Sequence, residues 1–116
     1  MKLFLDDERS VPNNTWHRAY NADEAIKFLD QYGPYMTHIS LDHDLGTKLS
    51  GYDVMCYMEG LEHSGRLNPD VLITIHSANP PGAMRMARVC EKMFGHPWTH
   101  YIVDYMALCR ENQENQ

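Results

Sequence analysis

The chain has 116 residues, enough for one domain with a real core and too few for two. Its hydrophobic share of 43% and charged share of 22% are those of an ordinary globular protein and argue against global disorder. A net charge of −6 argues against a broad basic surface for duplex DNA, and the three cysteines (Cys56, Cys90, Cys109) include no close pair that would indicate a disulfide framework or a Cys-based zinc site.

Lys2 to Leu5 reads as a buried first strand running into the acid loop Asp6-Asp7-Glu8. Arg9 to Thr15 carries Pro12 and two Asn and has no helical period, so it reads as an irregular loop. Trp16 to Tyr20 is a weak second strand. Asn21 then caps a helix, with Glu24 placed for a capping box, an apolar face of Ala22, Ala25, Ile26, Leu29 and Tyr32, and a stop at Gly33-Pro34. His38 to Leu41 is a third strand, stopped by Asp42-His43-Asp44 with Gly46 close behind.

Ser50 or Gly51 starts a second helix with Val54, Met55, Met58 and Leu61 inward and Gly65 as its stop. Asn68-Pro69 turns the chain into the strand Val71 to Ile75, which ends in His76-Ser77-Ala78-Asn79. A third helix follows Asn79-Pro80-Pro81-Gly82, with Ala83, Met86, Val89, Cys90 and Met93 inward and Arg85, Arg88 and Lys92 on the other side. Cys56 and Cys90 fall within these helical patterns and read as small core residues. Gly95-His96-Pro97 closes the helix, Trp98 to Val103 is a last strand, and Asp104 to Arg110 a short helix. This gives a single domain over 1–110 and a polar tail over 111–116. With no signal peptide and no run able to span a membrane, the expected location is the cytoplasm, without a membrane partner.

Strands alternating with helices of this length imply parallel βαβ units. The expected fold is α/β and flavodoxin-like, a five-stranded parallel sheet of order 2-1-3-4-5 with the first helix reduced to a loop. In that order strands one, three and four are neighbours, so Asp6-Asp7, Asp42-His43-Asp44 and His76-Ser77 meet in one crevice at the carboxyl ends of the strands.

Carboxylates crowded there repel: at about 4 Å and an effective dielectric near 20, each like-charge pair costs roughly 4 kcal/mol. Either some stay protonated or a cation neutralises them; a divalent metal held by Asp6, Asp7 and Asp42 is the economical answer, and oxygen ligands suit Mg²⁺ or Mn²⁺. Asp44 is either a further ligand or a turn cap. His43 and His76 are the histidines that end strands among polar groups, and as a facing pair they can serve as general base and general acid. His43 can alternatively supply a nitrogen ligand. Arg9 can fork onto a phosphate. Ser77, Asn79 and Gly82 precede the third helix, whose unpaired amides would make an anion site, and Arg85 in its first turn wants an anionic partner.

An Asp-Asp pair after strand one, Leu41-Asp42 through Leu45-Gly46 to Gly51-Tyr52, and Ser77 in the place of a switch Ser or Thr resemble a response-regulator receiver. More closely, Leu5-Asp6-Asp7-Glu8-Arg9, Leu41-Asp42-His43-Asp44-Leu45-Gly46 and His76-Ser77-Ala78-Asn79-Pro80, with Arg85-Met86 after them, resemble the cyclic-phosphate-processing receiver-like domains, over roughly Met1 to Val103. The resemblance implies a receiver site recast for cyclic phosphates in nucleotide or RNA-end metabolism. Two departures from ordinary receivers stand out. The only lysines are Lys2, Lys27, Lys48 and Lys92, so none follows Val103 where a receiver engages its phosphoryl group, and the loop 9–15 is too short for a full first helix.

The expected function is therefore a metal-dependent phosphoesterase acting on a small cyclic nucleotide or a 2′,3′-cyclic phosphate RNA end. In it Asp6, Asp7 and Asp42 hold the ion, His43 and His76 move protons, and Arg9, Ser77, Asn79 and Arg85 engage the phosphate. Two alternatives are a phosphoacceptor receiver in which Asp42 takes up phosphate, and a non-catalytic nucleotide- or protein-binding module.

Overall fold

The protein is described from a computed structural model, which covers residues 1–77 and 79–94. Four short strands, β1 (Lys2–Leu5), β2 (Trp16–Ala19), β3 (His38–Leu41) and β4 (Leu72–Ile75), form one parallel sheet in the order β2-β1-β3-β4. Three helices are described, α1 (Ala22–Tyr32), α2 (Gly51–His63) and α3 (Pro80–Phe94), with a 3₁₀ turn over Gly33–Tyr35. This is the expected flavodoxin-like arrangement as far as the fourth strand. The expected fifth strand at Trp98 to Val103, the helix at Asp104 to Arg110 and the tail lie outside the described residues. β1 passes directly to β2 with no helix between them, so the loop 9–15 stands in place of a crossover helix.

Strand parity divides the core. Leu3, Leu5, Ile39, Leu41, Ile73 and Ile75 pack with Ala25 and Leu29 of α1, Met55 and Met58 of α2, and Met86 and Cys90 of α3 in one buried cluster. All three described helices thus cover the same face of the sheet. On the other face Phe4 and Trp16 make a smaller cluster with Val11 beside them, the two rings meeting edge to face at 6.2 Å. No described helix is long and apolar enough to cross a membrane.

Local chemistry places the helix ends. The Asn21 side chain accepts from the Glu24 amide, while the Glu24 carboxylate reaches one residue further back than a capping box requires, to the Tyr20 amide. The reciprocal box forms instead at Ser50 and Asp53, where an acid one carbon shorter than the usual Glu does the same work. α3 starts at Pro80, earlier than expected, because two prolines fit the first helical turn and Asn79 caps it. Cys56 lies exposed on α2, against expectation, whereas Cys90 is buried and its thiol is pushed up to about 12 by that burial.

Gly51 opens α2 against the end of β3, its amide donating to the His43 carbonyl at 2.9 Å, and a Cβ there would stand 1.9 Å from the Asp42 carbonyl oxygen. Gly51→Ala should therefore cost about 1–3 kcal/mol in chemical denaturation, since backbone must yield. Gly60, in the same helix with open space around it, should gain about 0.5–1 kcal/mol as Ala. Equal effects at the two sites would show that the close approach at Gly51 does not constrain the strand end.

Candidate functional site

The sheet register aligns Leu5, Leu41 and Ile75 across three strands. One residue further the backbone ladder continues, with Asp6 N donating to Ala19 O, Asp42 N to Leu5 O and His76 N to Leu41 O, at 3.0–3.1 Å. Asp6, Asp42 and His76 therefore form one row at the carboxyl edge, two positions beyond Phe4, Ser40 and Thr74 and so on the same face as those residues.

Asp6 is fully buried and bonded throughout. Its Oδ1 accepts from the amides of Glu8 and Arg9, both at 2.8 Å, and its Oδ2 accepts from Arg9 Nη1 and His76 Nε2, both at 3.0 Å. Burial alone would raise its pKa, but the bonds from His76, the two amides and Arg9 outweigh it and hold the carboxyl well below the usual range. Asp42, only 6% exposed, is held by the amides of His43 and Asp44. Arg9 Nη1 approaches its Oδ2 at 3.6 Å. Burial and the neighbouring Asp6 charge push Asp42 up to about 6, against the pull of Arg9 and the amides of His43 and Asp44. One carboxylate of the pair is thus firmly ionised and the other strained.

Oxygens of Asp6, Asp7 and Asp42 lie within 4.8 Å of one another, the one group of potential metal ligands among the described residues. A cleft of ≈ 280 Å³ opens over them, lined by Asp7, Glu8, Arg9, Asp42, Asp44 and Gly46. Gly46, at φ 65°, brings its backbone against the Asp7 carboxylate. The donor set is all oxygen, which fits Mg²⁺ or Mn²⁺ better than a soft metal. Asp7 and Asp42 can offer oxygens directly. Asp6 can join them only where Arg9 gives up its place on Oδ2.

His76 does not take the place expected of a proton carrier. It is 1% exposed and stacks on Phe4 with ring centroids 4.5 Å apart and planes nearly parallel. Its Nδ1 meets Ser40 Oγ at 2.6 Å and its Nε2 meets Asp6. Burial lowers its pKa against the pull of Asp6, so the ring is neutral at pH 7, donating through Nε2–H and accepting from Ser40 at Nδ1. Both nitrogens are used inside the protein, and the residue orients Asp6. The run Ser40–His76–Asp6 has the order of a hydrolase triad, but Ser40 is fully buried and cannot meet a substrate.

Nor does His43 face His76. It lies against Gly82, where a Cβ would come within 2.6 Å of the ring, and its Nδ1 pairs with Asp44 Oδ1 at 2.9 Å. Asp44 lines the cleft, bonds both His43 and Asn79, and is held below its ordinary pKa chiefly by the His43 bond.

The expected anion site ahead of α3 is closed. Pro80 and Pro81 have no amide hydrogen, the Gly82 amide is taken by Asn79 Oδ1 at 3.0 Å, and the Ala83 amide by the Asn79 carbonyl at 2.9 Å. Ser77 Oγ is itself bonded by the Asn79 amide. Ser77 and Asn79 thus build the helix cap. Arg85 stands apart from the acid cleft, lying over the Tyr52 ring at 4.4 Å in a groove between α2 and α3 with Arg88 and Lys92. Sequence reasoning missed Ser40, although its place two residues before Asp42 in an apolar strand marks it as a buried polar group on the face of the site.

With chelator present, the cost of ionising Asp42, buried and beside the Asp6 charge, should be measurable as stability. Above 3.8 the unfolded chain gives up the Asp42 proton, while the folded chain keeps it until about 6. Ionisation therefore weakens the fold progressively across that window, and the loss is complete above it. Asp42→Asn should unfold at higher denaturant than wild type at pH 7–8 and at the same concentration near pH 3, and parallel pH profiles for the two would refute the raised Asp42 pKa. Ser40→Ala, which strips His76 Nδ1 of its donor, should cost about 1–3 kcal/mol in the same assay.

A family model described as the cyclic-phosphate processing receiver domain matches residues 1–92, and the chain belongs to this family. No curated protein and no solved structure is significantly similar to the chain.

Proposed function

We propose that this cyclic-phosphate processing receiver domain is a metal-dependent phosphoesterase that opens a cyclic phosphate in the cleft over Asp6, Asp7 and Asp42. The observation that carries the reading is the meeting of Asp6, Asp7 and Asp42, whose oxygens lie within 4.8 Å of one another, with Asp42 buried and raised to about 6 by that burial and by the Asp6 charge. Asp7 and Asp42, with Asp6 behind them, would hold an Mg²⁺ or Mn²⁺ ion, which when bound supplies Lewis-acid polarisation of a phosphoryl oxygen. The cleft of ≈ 280 Å³ suits a small group such as a cyclic phosphate on a nucleotide or an RNA end.

Hydrolysis adds one water: its oxygen bonds to phosphorus, one ribose P–O bond breaks, and the freed ribose oxygen takes a proton. Arg9, which lines the cleft, offsets charge growing on the phosphoryl oxygens. His43 remains the candidate proton carrier, because its Nδ1 is held by Asp44, which lines the cleft. His76 acts at one remove, locking the Asp6 carboxylate in orientation. A second reading, direct attack by Asp42 with an acyl-phosphate intermediate, draws on its place at the end of β3 beside Asp6 and Asp7.

Incubation with 2′,3′-cyclic and 3′,5′-cyclic nucleotides and Mg²⁺, Mn²⁺ or Zn²⁺ tests the proposal. Phosphomonoester should accumulate with one of the metals, stop on chelation, and fall about a hundredfold or more in Asp42→Ala. No turnover with any metal or nucleotide would refute the enzyme. Acid-labile phosphate on Asp42, trapped from a small phosphodonor, would move the assignment to the second reading.

A further inference from the structure

We propose that Arg9 is an exchangeable counter-ion: without metal it neutralises the Asp6–Asp42 pair, and a divalent cation displaces its guanidinium into the cleft, where it receives the phosphate. The inference rests on the metal site proposed above and adds an order of events to it.

Three observations carry it. The first is position. Arg9 Nη1 stands 3.0 Å from Asp6 Oδ2 and 3.6 Å from Asp42 Oδ2, between two of the three carboxylates that could bind a metal. A cation drawing on both carboxylates would compete with that nitrogen for the same space and the same charge.

The second is an account of lone pairs. Asp6 has about four acceptor positions, and all four are filled: two by the Glu8 and Arg9 amides, one by His76 and one by the guanidinium. The amides belong to the loop's own backbone, and His76 is enclosed by Phe4 and Ser40. The guanidinium is the member of the set carried on a long side chain at the surface, so it is the one able to leave.

The third is exposure and anchorage. The Arg9 side chain is 35% exposed and lines the cleft, although the carboxylates it bridges are 0% and 8% exposed. Its backbone stays fixed through the Arg9 amide on Asp6 Oδ1 when the side chain swings. The displaced guanidinium remains tethered at the cleft wall with its fork of donors available, the geometry that suits a phosphate. Metal and phosphate would then bind with positive coupling, because the first ligand releases the group that recognises the second.

Binding rather than turnover tests this. Metal-free wild type, Arg9→Gln and Arg9→Lys are titrated with Mn²⁺ by calorimetry, with and without inorganic phosphate, after thermal melting in chelator shows each to be folded. Arg9→Gln, lacking the internal competitor, should bind Mn²⁺ about tenfold or more tighter than wild type in the absence of phosphate. Arg9→Lys, which keeps a cation there, should stay close to wild type and keeps the test decisive if the Gln variant fails to fold: much tighter Mn²⁺ binding by the Lys variant contradicts competition by charge. Phosphate should tighten Mn²⁺ binding to wild type by at least about fivefold, and less in Arg9→Gln. Equal or weaker Mn²⁺ binding by folded Arg9→Gln overturns the exchange while leaving the metal site standing. Absence of Mn²⁺ binding to wild type and Arg9→Gln alike overturns the metal site itself.

Discussion

Parallel pairing of β1 with β3 in the register Leu5 to Leu41 brings the next residues, Asp6 and Asp42, side by side at the edge of the sheet. Two carboxylates so placed and so buried cannot both be ionised without a countercharge. Much of the surrounding structure answers that demand. The loop after β1 turns back so that two amides reach Asp6, Arg9 extends between the two acids, and β4 delivers a neutral imidazole as a further donor. These donors settle on Asp6, while Asp42 has the amides of His43 and Asp44 and a more distant Arg9. Burial and the Asp6 charge then raise Asp42 while Asp6 stays ionised.

The polar row is embedded in the fold. Ser40 lies in β3 and His76 directly follows β4, strands whose alternate residues are core, and Phe4 of β1 stacks on the imidazole across the sheet. A change at Ser40 reaches Asp6 through His76, and a change at Gly51 reaches Asp42 through the backbone of β3. The acids stand at the ends of strands, whereas the cation between them comes from a loop.

α2 and α3 contribute by position more than by chemistry. Their first turns abut the Asp42-His43 segment because Gly51 and Gly82 have no side chain there. Self-sufficient caps at Ser50 and Asn79 consume helix amides that could otherwise bind an anion. Under the proposed function, phosphate recognition would fall to side chains of the β1 loop, since Arg85 lies in the groove between the helices.

Apolar strands, helix-period faces and turn residues placed every described element within a few residues, and the βαβ alternation implied the sheet order from which the meeting of Asp6, Asp42 and His76 followed. Those features are local, and a short window of sequence carries them. The partners within the meeting are not local. Whether His76 points to a substrate or into Ser40 and Asp6 depends on which face of the sheet it occupies and on what Phe4 encloses. Whether Asn79 offers amides or uses them depends on the turn into α3, and Arg85 goes where helix rotation sends it. Sequence pattern alone sufficed to expect that carboxylates would crowd a strand edge and need either protonation or a cation. Only the tertiary structure decided that Arg9 supplies that charge and that the strain falls on Asp42, because both follow from distances and burial set by chain segments far apart.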